Sequence, residues 1–267
     1  MYLREKFSPH SSEIDWCESN YVISNKIAEF WNTISNAVFF VVPPLLIYLF
    51  KQYKYQVSGH VNIVWLLLVF VGFGSTYFHA TLSLFGQLLD EIAILYVCLA
   101  SFATFMPSFY LPISLTGKNK WKYHTLLFIF GIIATVLSFL RPEFNHMFLF
   151  SFIFPAMWIL VKEVRKSNYD EVKHVGKVSL FLFILGLICW IVDRIYCKSI
   201  KFEYLHGFWH ILVCLGSSMA CVCYAYFYAY YEFPEQSPKI KYWPAANNWL
   251  RIPYVILTEK PQKNAKV

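Results

Sequence analysis

The sequence is short of charge. Only 15% of its 267 residues are Asp, Glu, Lys or Arg, against about 25% in an ordinary soluble domain. Apolar residues make up 58% and aromatics 20%. A globular fold of this length could not hide so much Phe, Leu, Ile and Tyr, so the composition implies an integral membrane protein. Other features are missing too. The first thirty residues carry eight charges and no apolar core, which argues against a cleavable signal peptide. None of the seven cysteines forms a CxxC pair; most lie in apolar runs, where cysteine acts as a small hydrophobe. No N-x-Ser/Thr acceptor occurs, and no dilysine signal ends the chain. The net charge of +7 comes from basic residues scattered between hydrophobic runs, with no single basic stripe. That pattern fits membrane flanks and excludes a nucleic-acid role.

What is present is a series of apolar runs. A helix needs about 20 apolar residues to cross a bilayer. Spans are expected near 33–50, 61–80, 88–110, 123–140, 147–163, 178–195 and 208–231, with RPEFNH (Arg141 to His146) as the turn between the short fourth and fifth. Seven spans put the termini on opposite sides. Lys and Arg divide seven to sixteen between those sides, the larger share with the tail. The positive-inside bias then puts the tail in the cytosol and the N-terminus in the lumen. The expectation is an all-α, seven-transmembrane helix bundle with an intramembrane metal site. It is a single domain over 1–267: a lumenal N-terminal segment 1–32 with an acidic loop, a membrane bundle 33–231 and a cytosolic tail 232–267.

Ionisable residues inside apolar runs are costly and mark sites. GSTYFHATLSLFGQLLDE, Gly74 to Glu91, carries His79 and Asp90; YLHGFWH carries His206 and His210. The span order brings His79 at the end of the second span, Asp90 at the start of the third and His206 at the start of the seventh all to the lumenal side. His206 and His210 share one helical face, a turn apart. HxxxH alone is common, and a lone interfacial histidine is more often an amphipathic anchor. A third histidine at the same depth completes the open three-ligand arrangement of catalytic zinc. Ser75, one turn before His79, has a hydroxyl able to meet a developing oxyanion; otherwise it is a small packing residue. Asp90 is suited to moving a proton from water to a leaving group; otherwise it is the buried partner of an arginine.

This combination resembles the alkaline ceramidase family, part of a larger group of seven-span zinc hydrolases that includes the adiponectin receptors. SxxxH, then Asp eleven residues after the His, then HxxxH carry the resemblance. So do SSEIDWCESNY…AEFWNTISN, FHATLSLFGQLLDEIAILY, SFLRP and KYWP…PYV, which together cover most of the chain. The resemblance implies hydrolysis of the ceramide N-acyl amide to sphingosine and a fatty acid. His79, His206 and His210 would bind zinc, Asp90 would be the acid/base, and Ser75 would sit beside the zinc water or oxyanion. Water on zinc would attack the amide with help from Asp90. It further implies a structural or regulatory calcium ion on Asp15, Trp16 (through its carbonyl), Glu18, Asn20 and Glu29. DWCESN offers hard oxygen donors of the kind calcium prefers, though alone it reads as a solvated acidic turn. Glu29 would tie that loop to the bundle. Cys17 and Cys197 both fall on the lumenal side, where disulfides persist, and are expected to pair. The implied partner is the membrane lipid ceramide, with no nucleic acid and no obligate protein partner. The implied location is the endoplasmic reticulum membrane, with the Golgi as alternative. Two other readings stay open: a seven-span lipid receptor with structural zinc, and a heptahelical transporter using the histidines as a proton relay.

Overall fold

The structure is a computed structural model that describes residues 6–200, 202–248 and 251–258. Of the basic residues used to orient the chain, Arg4, Lys201, Lys260, Lys263 and Lys266 lie outside that set. Seven helical segments are long and apolar enough to cross a membrane. The first, Phe30–Leu49, joins α1 (Phe30–Ser35), a 3-10 turn over Asn36–Phe40 and α2 (Val42–Leu49). A short α3 (Lys51–Gln56) follows, then α4 (Val61–Thr81), α5 (Leu84–Phe105), α6 (Lys120–Leu140), α7 (Asn145–Lys166), α8 (Asp170–Ile200) and α9 (Leu205–Glu232). Large apolar side chains such as Phe70, Phe128, Phe154 and Phe181 point outward and are exposed, as a lipid-facing surface requires. The buried core runs through α2, α4, α5 and α9.

Local chemistry sets the helix ends. Ser83 caps α5, its hydroxyl accepting the Gly86 N–H at 3.1 Å. Leu82, with φ 51°, ends α4 in the left-handed region, a conformation a bulky residue adopts only under tertiary pressure. Leu82 is buried against Phe78 and Ala28. This two-residue turn fixes α4 and α5 as antiparallel neighbours. The third span stops at Phe105 rather than near 110, because Pro107 pushes Met106 into extended backbone. The sixth span extends well beyond 178–195, and the third begins four residues before 88.

The tail is not wholly irregular, so the all-α expectation needs amending. Pro238–Trp243 (β1) and Ile252–Leu257 (β2) pair antiparallel, Pro238 opposite Leu257. Every second residue of β2 is buried, the alternation of a strand with one covered face. Gln52 of α3 bonds both the N–H and the C=O of Leu257, at 3.2 and 2.8 Å, and so docks the hairpin onto the bundle.

The opposite end of the bundle is covered by the N-terminal segment. Backbone N–H groups of His10, Ser12, Ala28 and Glu29 donate to the carbonyls of Thr81, Leu82, Ala80 and His79 at 3.0–3.1 Å. Cys17 and Cys197 form a disulfide, with Cα atoms 5.2 Å apart. The Cys17 N–H also donates to the buried carboxylate of Asp193, at 3.0 Å.

Candidate active site

The turn at Leu82–Ser83 leaves His79 in the last turn of α4 and Asp90 in the second turn of α5. Gly74 lets the two backbones touch. A Cβ there would stand 3.0 Å from the Asp90 nitrogen and 3.1 Å from its Cα, closer than packed atoms tolerate. Small residues permit this kind of close approach between membrane helices. As a result the Asp90 carboxyl is a neighbour of the Ser75 hydroxyl.

His206 and His210 occupy the first two turns of α9 and face His79. The ring centroids are 4.9 Å (His79 to His206), 4.8 Å (His79 to His210) and 4.6 Å (His206 to His210) apart. One ligand atom from each lies within 4.8 Å of the others, and all three side chains are buried. Two of the rings are held by groups behind them. His79 Nδ1 is 2.5 Å from Glu29 Oε2, and His210 Nδ1 is 2.7 Å from the Ser35 hydroxyl. His210 Nε2 faces the Ser75 hydroxyl at 3.3 Å. Ser75 therefore sits between an imidazole and a carboxyl.

The remaining ring nitrogens fit a metal. His79 Nε2 and His206 Nδ1 are buried with no hydrogen-bond partner. A buried polar atom left unpaired costs about 1–3 kcal/mol, and two of them in one cluster of imidazoles call for a shared acceptor of their lone pairs. Imidazole donors suit zinc, as they also suit copper, iron and nickel. A ligating histidine normally passes its other N–H to a carboxylate or similar acceptor, as His79 does to Glu29.

The acidic loop roofs this group. Trp16 stacks on His206 with ring centroids 3.7 Å apart. Glu18 accepts the backbone N–H groups of Trp31 and Asn32 at 2.6 and 2.7 Å, supplying from the loop the cap that α1 lacks. Burial raises the Glu18 pKa, against those two bonds. Glu29 is fully buried and also accepts from Trp16 N–H (3.0 Å) and Asn32 Nδ2 (3.1 Å). Burial pushes its pKa up to about 8; Asn32 and Trp16 oppose the rise and the neighbouring Asp15 charge adds to it. Asn20 donates to Asp15 at 3.1 Å, while Asn20 Oδ1 is buried without a partner. Among the described residues, only the three imidazoles form a group of His, Cys, Asp or Glu gathered closely enough to share an ion. Asp15, Glu18 and Glu29 do not converge that tightly by themselves. Their mutual repulsion and the unpaired oxygen of Asn20 are what a bound cation would relieve, so the loop fits calcium chemistry.

Several supporting residues escaped the sequence reading: Ser35 behind His210, Gly74 beneath Asp90, and Asp193 beneath Cys17. Asn32 and Asn36 are completely buried in the first span. That polar run, NTISN inside an apolar segment, was the one available signal for Ser35.

Comparison with known proteins identifies the family. The ceramidase family model matches residues 8–256. An alkaline ceramidase of Drosophila melanogaster is 43% identical, over 94% of this chain and 89% of its own length. Alkaline ceramidase 1 of Homo sapiens is 40% identical, over 93% and 95% respectively. Alkaline ceramidase 3 of Mus musculus is 30% identical, over 90% and 93%. With three buried imidazoles, an adjoining Ser–Asp pair and likeness over nearly its whole length, the chain belongs to the ceramidase family.

Proposed function

We propose that this protein hydrolyses the N-acyl amide of ceramide, releasing sphingosine and a fatty acid, as a zinc enzyme of a multi-pass membrane. The observation that carries the proposal is three buried imidazoles close enough to share one ion, two of them with an unpartnered ring nitrogen, beside the Ser75–Asp90 pair. His79, His206 and His210 would hold zinc, which when bound supplies Lewis acidity and a water nucleophile at neutral pH. Asp90 takes the proton of the attacking water and returns it to the departing nitrogen, so the products leave as a primary amine and a carboxylic acid. The Ser75 hydroxyl donates to the carbonyl oxygen as it gains charge. Trp16 covers His206 and keeps bulk water from that side. An apolar cavity between α5, α7 and α9, lined by Val97, Phe102, Met157, Ala220 and Tyr224, suits a hydrocarbon tail. It lies in the half of the bundle away from the histidines.

Asp15, the Trp16 carbonyl, Glu18, Asn20 and Glu29 would hold calcium, and the histidine end would face the lumen of the endoplasmic reticulum or Golgi. The whole chain acts as one unit, with the segment before the first span as its roof. The purified protein, given defined ceramides in detergent, is expected to release sphingosine and to stop when zinc is chelated. Zinc present without turnover would favour the receptor reading. Absence of zinc by elemental analysis would favour the transporter reading.

Two variants test the supporting residues. Glu29→Gln leaves a neutral partner behind His79 and is expected to weaken zinc binding by about 10–100-fold, the usual effect of losing a carboxylate behind a ligating histidine. A zinc-buffer titration reads it. Gly74→Ala forces α5 away from α4 by a few tenths of an ångström. Overpacking of this kind costs about 1–3 kcal/mol, and the displaced Asp90 is expected to lower kcat at least about tenfold with zinc content unchanged.

A further inference from the structure

Asp193 has no part in the reaction proposed above. It lies in the apolar run CWIVDRIY of α8 and is 1% exposed. A carboxylate buried in a span is costly unless something holds it. Arg194, the next residue, is turned to the loop instead. Its guanidinium lies 5.7 Å from the Trp16 ring centroid and reaches the Asp15 carbonyl at 3.5 Å. Asp193 Oδ2 accepts the Cys17 N–H at 3.0 Å, and Oδ1 is buried with no hydrogen-bond partner. Holding Cys17 does not explain this carboxylate. The disulfide to Cys197, one turn further along α8, already fastens that residue.

The start of α9 does explain it. The Asp193 carboxylate is a neighbour of the His206 backbone amide, in the first turn of that helix. This turn lacks a cap of its own. Tyr204 at the N-cap makes no side-chain cap bond, and Phe208 N–H bonds back to the Tyr204 carbonyl at 3.1 Å. The N–H groups ahead of Phe208 have no acceptor within the helix, and the positive end of the helix dipole lies behind them. A carboxylate from the adjoining helix answers both needs. The same device serves α1, where Glu18 accepts the N–H groups of Trp31 and Asn32.

Asp193 also matches Glu29. Trp16 and Cys17 are consecutive, and their N–H groups donate to Glu29 and Asp193 respectively. Glu29 reaches the His79 ring on its far side. Asp193 reaches the helix start that carries His206. Resting on the zinc reading above, we infer that Asp193 is a positioning residue for the metal centre: it pins the first turn of α9 beneath the roof and so sets where His206 stands relative to His79. It touches neither substrate nor metal. His210, one turn further on, has its own support in Ser35, so the effect falls on His206.

Asp193→Asn tests this in the full-length protein. The change keeps the shape but turns an amide NH2 toward one of two backbone donors. Zinc affinity of the folded variant, read by a zinc-buffer titration, is expected to fall at least about tenfold, the lower end of what losing a supporting group behind a metal ligand costs. Hydrogen exchange followed by mass spectrometry supplies a metal-free readout. Amides of residues 205–207 are expected to exchange at least about tenfold faster, while those of the α4–α5 turn are unchanged. Unchanged zinc affinity in folded Asp193→Asn protein overturns the assignment. So does exchange that quickens equally at both places, the mark of a general loosening. If the variant does not fold, the unmodified protein decides: residues 205–207 exchanging as fast as an unstructured chain overturns the assignment. The titration of unmodified protein separates the two readings. Absence of zinc binding there sinks the zinc reading and this one with it. Zinc binding there, with unchanged affinity in the variant, sinks only the role of Asp193.

Discussion

Replacing Asp90 by Asn is expected to lower kcat by about 10²–10⁴-fold, the range a positioned acid/base contributes, while zinc content stays at the wild-type level. The change is nearly isosteric, so the close contact of α5 with Gly74 persists and Ser75 keeps a partner. What disappears is the capacity to take a proton from water and give it to nitrogen. An amide demands both steps, because an amine leaves poorly without a proton. The variant should therefore lose kcat rather than raise KM. Wild-type turnover in folded, zinc-loaded Asp90→Asn protein would remove Asp90 from the chemistry.

Replacing His206 by Ala should act earlier, on the metal. Two imidazoles would remain, and zinc held by three protein ligands would lose one. Bound zinc is expected to fall from near one per chain to near zero, and turnover by more than about 10³-fold, since the several kcal/mol of charge stabilisation a metal supplies is lost. The stacked Trp16 would also lose its contact. Elemental analysis distinguishes this variant from Asp90→Asn, which keeps its zinc. Full zinc occupancy in His206→Ala protein would show that the ion sits elsewhere.

The readable parts of this molecule were those where polarity interrupts a hydrophobic run. His79, Asp90, His206 and His210 stand out because ionisable groups in such runs need a reason to be there, and span order alone brought them to one end. The helix limits were read less well. Hydropathy continues smoothly through MPSFYL, yet Pro107 ends α5 at Phe105 on backbone grounds. The β-hairpin stayed hidden because Lys and Pro dilute the composition of 238–257, although Val255 and Leu257 are buried at alternate positions. Gly74 and Ser35 were invisible for another reason. Their roles depend on what a neighbouring helix places opposite them, and one strand of text does not record that.

The roof over the histidines is fastened at both edges, by backbone bonds to the end of α4 and by the Cys17–Cys197 link to α8. Such a closed aqueous side leaves the surrounding lipid as the reservoir from which ceramide is drawn. Initial velocity should then follow the mole fraction of ceramide within a micelle or vesicle. Adding more particles of the same composition, at saturating particle number, should leave it unchanged.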